Sequence, residues 1–308
     1  MDYFSRIVKD ITSLKIQGAT AVASSALDAV SYIAKKSRAK TPDSLIKEIE
    51  KAKNVLYSTR PTEPLMRNSL RYILYNLKEC GISDTEKLKR LVEVTADEFI
   101  FNLKKDKDRI AEIGAGKIES GMTLMTHCHS SAVTNTFRKA KEQGKKFSVI
   151  CTETRPHYQG RITAKELVKL GIPTTMIVDG AMSSFVKKAD AAFVGCDLIT
   201  SDISMINKVG TFYLSLAAKR VGIPFYCEAE LAKFDPETMF GKIEQIEQRS
   251  GKEIWPNAPK KLKISNPVFD ITPRENISAF ITQEGIVPPS AITDLINERL
   301  PWIFKGVR

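Results

Sequence analysis

The second half of the chain alternates short β-prone runs with helical segments, and this alternation limits the available folds more than any other feature. The β-prone runs begin after Gly121 and read MTLMTH, KFSVICTE, TTMIVD, AAFVGCD and PFYCEAE. Candidate helices such as VTNTFRKAKEQGK and TFYLSLAAKRVG separate them. Because a helix is the usual crossover between parallel strands, the alternation predicts a doubly wound parallel sheet.

The first part of the chain has a helical period instead. Apolar residues recur at helical spacing in VASSALDAVSYIAKK, SLIKEIEKAKNVLYS and EKLKRLVEVTADEFIFNLKK. We therefore predict an α/β protein in which an N-terminal helical domain, residues 1–118, precedes a Rossmann-like α/β domain, residues 119–308. Two Pro-rich pieces, IWPNAPKKLKISNP and IVPPSA, are interpreted as surface connections and not as a third domain.

The composition narrows the class of protein. Hydrophobic residues make up 43% and charged residues 27% of the 308, which is typical of a globular domain. No run resembles a membrane helix or a secretory signal, so we expect a cytoplasmic protein without a membrane partner. The five cysteines form no CxxC pair and are expected to be reduced thiols.

The formal net charge of +11 raises the question of a polyanionic partner. Lys and Arg are scattered along the helical segments instead of forming one basic tract with interleaved aromatic residues, which argues against nucleic acid. Phosphorylated small molecules remain compatible with this charge.

The segment LMTHCHSSA, residues 124–132, ends the first predicted strand and carries three open interpretations. His127 and His129 suggest a metal site, but three protein ligands are usual for catalytic zinc, and no ligand spacing joins them to His157. Alternatively, Cys128 lies before a helix that starts near Ser130, whose amino end would favour a thiolate. The third interpretation is an inert buried cysteine, the commonest fate of a free thiol.

Other polar residues follow the remaining predicted strands, where open α/β sheets bind ligands. Asp197 follows the apolar run AAFVGC, so it is either a general acid whose pKa is raised by burial or a turn cap. Asn207 and Lys208 precede a helix opened by Gly210, a pattern that can bind phosphate. Further weak anion contacts are predicted from three stretches: Gly18-Ala19, Arg60 and Lys233.

Taken in order, the motifs of this chain closely resemble those of the archaeal ribose-1,5-bisphosphate isomerases. The resemblance runs through nearly the whole chain and rests on IQGATAVA, STRPT, MTHCHSSA, TETRPHYQG, VGCDLIT, INKVGT, AKFDPETM, NPVFDITP and TQEGIVPP. That group is similar to the methylthioribose-1-phosphate isomerases and to the alpha, beta and delta regulatory subunits of the exchange factor for eukaryotic translation initiation factor two. Since these relatives share a fold, the site has to distinguish between them.

The resemblance implies a catalytic pair, Cys128 as base and Asp197 as acid, with no cofactor and no metal. It also implies that the chain is similar to the ribose-bisphosphate enzymes in having His129-Ser130-Ser131 after the cysteine, because the methylthioribose enzymes tend to have Asn-Thr-Gly at these positions. The implied substrate-binding positions are Gly18, Ala19, Arg60, Ser130, Asn207, Lys208 and Lys233. A homo-oligomer, either dimer or hexamer, and a role in archaeal AMP salvage are further implications.

One stretch departs from the relatives. Where they usually show Arg-Gly-Ala-Gly, this sequence has Gln17-Gly18-Ala19-Thr20, so a guanidinium able to pair with a phosphate is missing. The alternatives are therefore a methylthioribose-1-phosphate or other sugar-1-phosphate isomerase, and a non-catalytic regulatory protein like the exchange-factor subunits.

Overall fold

The apolar runs of the second half become strands because a sheet covered on both faces buries almost every side chain. In a computed structural model, which describes residues 2–60, 63–241 and 245–305, all five residues of Ala191–Gly195 are buried. The strands are β1 (Thr123–Thr126), β2 (Ser148–Thr152), β3 (Thr174–Ile177), β4 (Ala191–Gly195), β5 (Leu198–Ile199), β6 (Met205–Lys208), β7 (Phe225–Glu228), β8 (Phe269–Thr272), β9 (Ala279–Thr282) and β10 (Gly285–Val287).

The principal sheet has seven strands in the order β10-β9-β7-β4-β1-β2-β3. Its pairings are parallel except at one edge, where β10 runs antiparallel to β9. The predicted α/β fold with a doubly wound parallel sheet is thus confirmed, and all five predicted strands are present. A second, antiparallel sheet in the order β5-β6-β8 was not predicted.

Each of the five helical segments quoted from the sequence lies on a helix of the structure. The helices are α1 (Tyr3–Thr12), α2 (Ala19–Lys36), α3 (Pro42–Thr59), α4 (Pro64–Glu79), α5 (Thr85–Ala115), α6 (Ser131–Glu142), α7 (Gly160–Lys169), α8 (Met182–Phe185), α9 (Thr211–Val221) and α10 (Ile292–Arg299). Local signals set their ends: Thr41 and Ser44 form a capping box at the start of α3, where Pro42 is the first helical residue. Within the described ranges no helix is long and apolar enough to cross a membrane.

The chain divides into two compact units. The first contains residues 1–105, 232–242 and 296–308, and the second contains residues 106–231 and 243–295. In the second unit an aromatic core of Phe137, Phe147 and Phe193 packs beneath the parallel sheet, with Phe137 and Phe193 fully buried. In the first unit Trp302 packs on Tyr72 and Phe99. The predicted division at residue 118 stays a prediction.

Candidate active site

The order of the strands gives the second unit a switch point between β1 and β4. The chain builds β1, β2 and β3 outward in one direction and then returns to place β4 on the other side of β1. Ligands of doubly wound sheets bind beyond the carboxyl ends of the strands that flank such a point. Cys128 follows β1 by two residues and Asp197 follows β4 by two residues, so the predicted catalytic pair lies at this place.

Two further contacts bring neighbouring segments to the pair. A Cβ atom placed on Gly195, the last residue of β4, would lie 2.5 Å from Oγ of Ser130, the N-cap of α6. The backbone N–H of Asp197 donates to the carbonyl of Ile206 at 3.0 Å, and β6 continues from there into Asn207 and Lys208. Four segments therefore converge where the sequence predicted a site.

The backbone of Cys128 is held from both sides. Its φ of 67° is in the left-handed region, which costs a residue with a side chain roughly 1 kcal/mol or more. Its N–H donates to Oγ1 of Thr154 at 3.0 Å, and its carbonyl accepts from Oγ1 of Thr163 at 2.9 Å. Both threonines are almost fully buried, so water does not compete for these hydrogen bonds.

The electrostatic environment of the Cys128 thiol differs from the sequence-based expectation. Burial raises the pKa of the thiol to about 11, whereas the positive charge of Lys208 and the N–H of His129 lower it. The negative charges of Asp197 and Asp179 act in the same direction as burial. The amino end of α6 was expected to favour a thiolate near neutral pH, but desolvation of the sulfur outweighs such stabilisation.

The three histidines all contact oxygen atoms of other residues. His127 lies 2.6 Å from Oγ1 of Thr152 through Nδ1 and 2.8 Å from the carbonyl of Val209 through Nε2. His129 contacts Oγ1 of Thr163 at 3.1 Å, and His157 contacts Glu253 at 2.8 Å. Among the described residues, no three His, Cys, Asp or Glu side chains are grouped as a metal site.

The β6–α9 connection carries the predicted phosphate contacts of the second unit. Nδ2 of Asn207 donates to Oγ1 of Thr211 at 3.1 Å, and that hydroxyl donates to the carbonyl of Lys208 at 2.6 Å. Asp270 accepts from the N–H groups of Gly210 and Phe212 at the start of α9. Burial raises the pKa of the Asp270 carboxyl to about 6. These bonds fix the loop that presents Lys208.

A cleft with an empty volume of about 230 Å³ opens beside Lys208. Arg155 and Arg249 line it together with His157 and Glu253, so its charged lining is mostly cationic. Such a lining suits an anionic ligand better than a neutral one.

The first unit contains the other four predicted binding residues: Gly18, Ala19, Arg60 and Lys233. Gly18 has a φ of 85°, a conformation that few other residues adopt, and it is the N-cap of α2, which begins at Ala19. Arg60 ends α3, with Nη2 at 3.4 Å from Glu63 and with Nε buried. The first unit thus contains four of the nine predicted site residues, and the second unit contains the other five: Cys128, Ser130, Asp197, Asn207 and Lys208.

Sequence reasoning missed the residues that hold these groups in place. Asn68 is fully buried and donates from Nδ2 to the carbonyls of Ala232 and Phe234, at 2.7 Å each, so it fixes the backbone on both sides of Lys233. Thr154 and Thr163 hold Cys128 in the same way. Thr154 lies in the motif TETRPHYQG, but no role was predicted for it, because buried threonines and asparagines are common at strand ends and in helices.

Comparisons with known proteins find similar sequences and structures over nearly the whole chain. The model of the Initiation factor 2 subunit family matches residues 15–289. A Pyrococcus furiosus protein named ribose 1,5-bisphosphate isomerase is 42% identical over 97% of this chain and 94% of its own length. A Thermosipho africanus methylthioribose-1-phosphate isomerase is 33% identical over 93% and 87%. The structure of a Pyrococcus horikoshii translation initiation factor eIF-2B superposes with a TM-score of 0.81 at 30% identity, covering 94% of this chain and 98% of that one.

Proposed function

The chain belongs to the Initiation factor 2 subunit family, and on that premise we propose that it is an aldose–ketose isomerase. Its proposed substrate is α-D-ribose 1,5-bisphosphate and its product ribulose 1,5-bisphosphate. The observation that carries the proposal is the position of Cys128 and Asp197 after β1 and β4, the two strands that flank the switch point. The similarity to curated relatives with this printed name supports the choice of substrate.

The chemistry follows from the position of one phosphate. Ribose 1,5-bisphosphate carries a phosphate on its anomeric oxygen, so the ring cannot open to a free aldehyde. In the proposed mechanism Asp197 donates a proton to the ring oxygen as the bond from this oxygen to carbon 1 breaks, and Cys128 removes the proton from carbon 2. The resulting phosphoenol gains a proton at carbon 1 and loses the proton of the hydroxyl on carbon 2, which gives the ketone at carbon 2.

As the proposed base, Cys128 must first lose its thiol proton, because burial raises the pKa of this thiol to about 11, well above the neutral pH at which a base works best. Once formed, the thiolate is basic enough to remove the weakly acidic proton from carbon 2. Lys208 stabilises this thiolate by its charge, while the half-buried Asp197 supplies the acid. Each positioned acid or base contributes about 10²–10⁴-fold to the rate.

The two phosphates of the substrate call for several cationic and amide groups. We assign this role to seven residues, which would fix carbon 2 against the sulfur by binding remote parts of the substrate. They are Gly18, Ala19, Arg60, Ser130, Asn207, Lys208 and Lys233. In this proposal the protein works in the cytoplasm in the salvage of AMP, as a homo-oligomer.

The experiment is a phosphorus and proton NMR assay with two substrates, α-ribose 1,5-bisphosphate and methylthioribose 1-phosphate. We expect conversion of the bisphosphate by the wild type and a loss of about 10²–10⁴-fold in kcat for Asp197→Asn, with an unchanged fold by circular dichroism. Conversion of methylthioribose 1-phosphate alone would replace the substrate and keep the reaction type. No conversion of either sugar would favour the regulatory-protein alternative.

A further inference from the structure

We infer that Thr154 is a positioning residue for Cys128, and that it acts as the end of a directed chain of hydrogen bonds that begins at His127. The part of this inference that concerns turnover rests on the proposed function. The part that concerns the reactivity of the sulfur does not, and the two are tested separately below.

The direction of the chain follows from its one fixed end. The carbonyl of Val209 can only accept, so Nε2 of His127 carries the proton of the contact at 2.8 Å. Burial lowers the pKa of His127, so the ring is neutral and Nδ1 is an acceptor. The hydroxyl of Thr152 therefore donates to Nδ1 at 2.6 Å.

The next links have only one consistent assignment. Because the proton of Thr152 is committed to His127, its oxygen accepts from the hydroxyl of Thr154 at 3.3 Å. The oxygen of Thr154 is then left to accept the N–H of Cys128 at 3.0 Å. His127, Thr152 and Thr154 are at most 2% exposed, so the chain is protected from water along its length.

The carbonyl of Cys128 is held by a second threonine, so both its N–H and its carbonyl are hydrogen-bonded to buried threonines. Thr163 on α7 donates its hydroxyl proton to the carbonyl of Cys128 at 2.9 Å, so its oxygen accepts from Nδ1 of His129 at 3.1 Å. Both histidines of the THCHS motif are thus connected to the cysteine between them, His127 through two threonines and His129 through Thr163. The peptide groups on both sides of Cys128 are held, and its left-handed backbone, with φ of 67°, is kept in one conformation.

The backbone conformation of Thr154 is unfavourable for a threonine, which indicates that its hydroxyl is needed at this position. Its own φ is 62°, in a region that a β-branched residue rarely adopts. Its N–H donates to Asp179 at 2.8 Å, one of the carboxylates whose charge acts on the thiol. Thr154 therefore joins the backbone of Cys128 to Asp179, one of the groups whose charge acts on the sulfur.

The test compares Thr154→Val, which removes the hydroxyl and keeps the shape, with Thr154→Ser, which keeps the hydroxyl. The matched control is Thr136→Val, a buried threonine of α6 whose Oγ1 has no hydrogen-bond partner among the residues that the structure describes. One readout is kcat and KM for ribose 1,5-bisphosphate. The other is the rate of alkylation of Cys128 by iodoacetamide as a function of pH, followed by mass spectrometry of the Cys128 peptide.

We expect Thr154→Val to lower kcat by about 10²-fold with little change in KM, because a misplaced base affects the chemical step. Its alkylation profile should shift to higher pH as the sulfur loses its alignment with Lys208. Thr154→Ser and Thr136→Val should behave like the wild type. An unchanged alkylation profile in Thr154→Val would overturn the inference, even if the wild type has no isomerase activity.

If Thr154→Val does not fold, the same test is made with Thr152→Val, because Thr152 accepts the hydrogen bond of Thr154. A shifted alkylation profile in this variant that Thr152→Ser restores supports the directed chain. A wild-type profile in Thr152→Val overturns it.

Discussion

At the scale of single residues, the competition between burial and charge at Cys128 determines what the site can do. Burial is the largest effect and raises the pKa of the thiol to about 11, while Lys208 is the largest opposing one. The sequence placed Cys128 at a strand end before a helix and suggested a stabilised thiolate, because the position of a residue can be inferred from spacing. The degree of burial depends on residues from distant segments and could not be inferred.

The raised pKa of Cys128 predicts a steep pH dependence of its reactivity. Only the thiolate reacts with iodoacetamide, and below the pKa its fraction rises tenfold for each pH unit. We expect the logarithm of the alkylation rate of Cys128 to rise with a slope near one from pH 7 to pH 10. A plateau that begins below pH 9 would show that the folded protein stabilises the thiolate instead.

Removal of Lys208 should raise the pKa of the Cys128 thiol further, since the charge of Lys208 lowers it. Lys208→Met is therefore expected to slow alkylation of Cys128 at every pH between 7 and 10. The matched control is Lys169→Met at the exposed end of α7, which should leave the rate unchanged. Equal rates in the two variants would contradict the assignment of Lys208 to the sulfur.

At the scale of elements, the close approach of β4 and α6 positions the two catalytic candidates. Gly195 ends β4 two residues before Asp197, and Ser130 caps α6 two residues after Cys128. A side chain on Gly195 would collide with Oγ and Cβ of Ser130, at 2.5 and 2.7 Å. The absence of a side chain at Gly195 therefore lets the two segments meet.

Gly195→Ala should separate these segments and reduce isomerase activity. We expect a loss of about tenfold or more in kcat, because small displacements of an acid or base weaken proton transfer. Gly180→Ala is the control, since a Cβ atom there would have no described residue within 4 Å apart from its two chain neighbours. Steady-state kinetics of both variants check the prediction, and equal kcat values for the two would disprove the role of this contact.

The predictability of the elements follows the length and burial of each segment. The long periodic helices and the five apolar parallel strands were predicted because their patterns repeat over many residues. The antiparallel sheet was missed because β5 has two residues, and because the INKVGT motif of β6 was interpreted as a phosphate loop. In the candidate site, the two residues proposed to react were predicted from their strand ends and from the resemblance. No sequence pattern indicated that Thr154 holds the backbone of Cys128 or that Asn68 holds the backbone beside Lys233.

At the scale of the whole molecule, the first unit depends on segments that are far apart in the sequence. Arg67 on α4 pairs with Asp235 at 2.8 Å, and both side chains are at most 4% exposed. Arg71 pairs with Glu237 at 3.3 Å in the same cluster. The motif AKFDPETM, which contains Lys233, is thereby attached to the helices of this unit.

Loss of the buried pair should therefore destabilise the protein. Asp235→Ala removes the shorter of the ion pairs of the buried Arg67 guanidinium and leaves its contact with Glu237 at 3.6 Å, so we expect a loss of about 1.5–3 kcal/mol. The control is Glu50→Ala at the exposed pair with Lys78, where we expect a change of about 1 kcal/mol or less. Urea unfolding followed by circular dichroism measures both, and similar midpoints for the two variants would contradict the structural role of the buried pair.

The role of Cys128 as the base is tested most directly by proton and phosphorus NMR of ribose 1,5-bisphosphate in deuterated water. The proteins compared are the wild type, Cys128→Ser and Cys80→Ser. Cys80 is a half-buried cysteine at the end of α4 and serves as the control. We expect the wild type and Cys80→Ser to form ribulose 1,5-bisphosphate with deuterium at carbon 1, and Cys128→Ser to form almost none. Full activity of Cys128→Ser would contradict the role of Cys128 as the base.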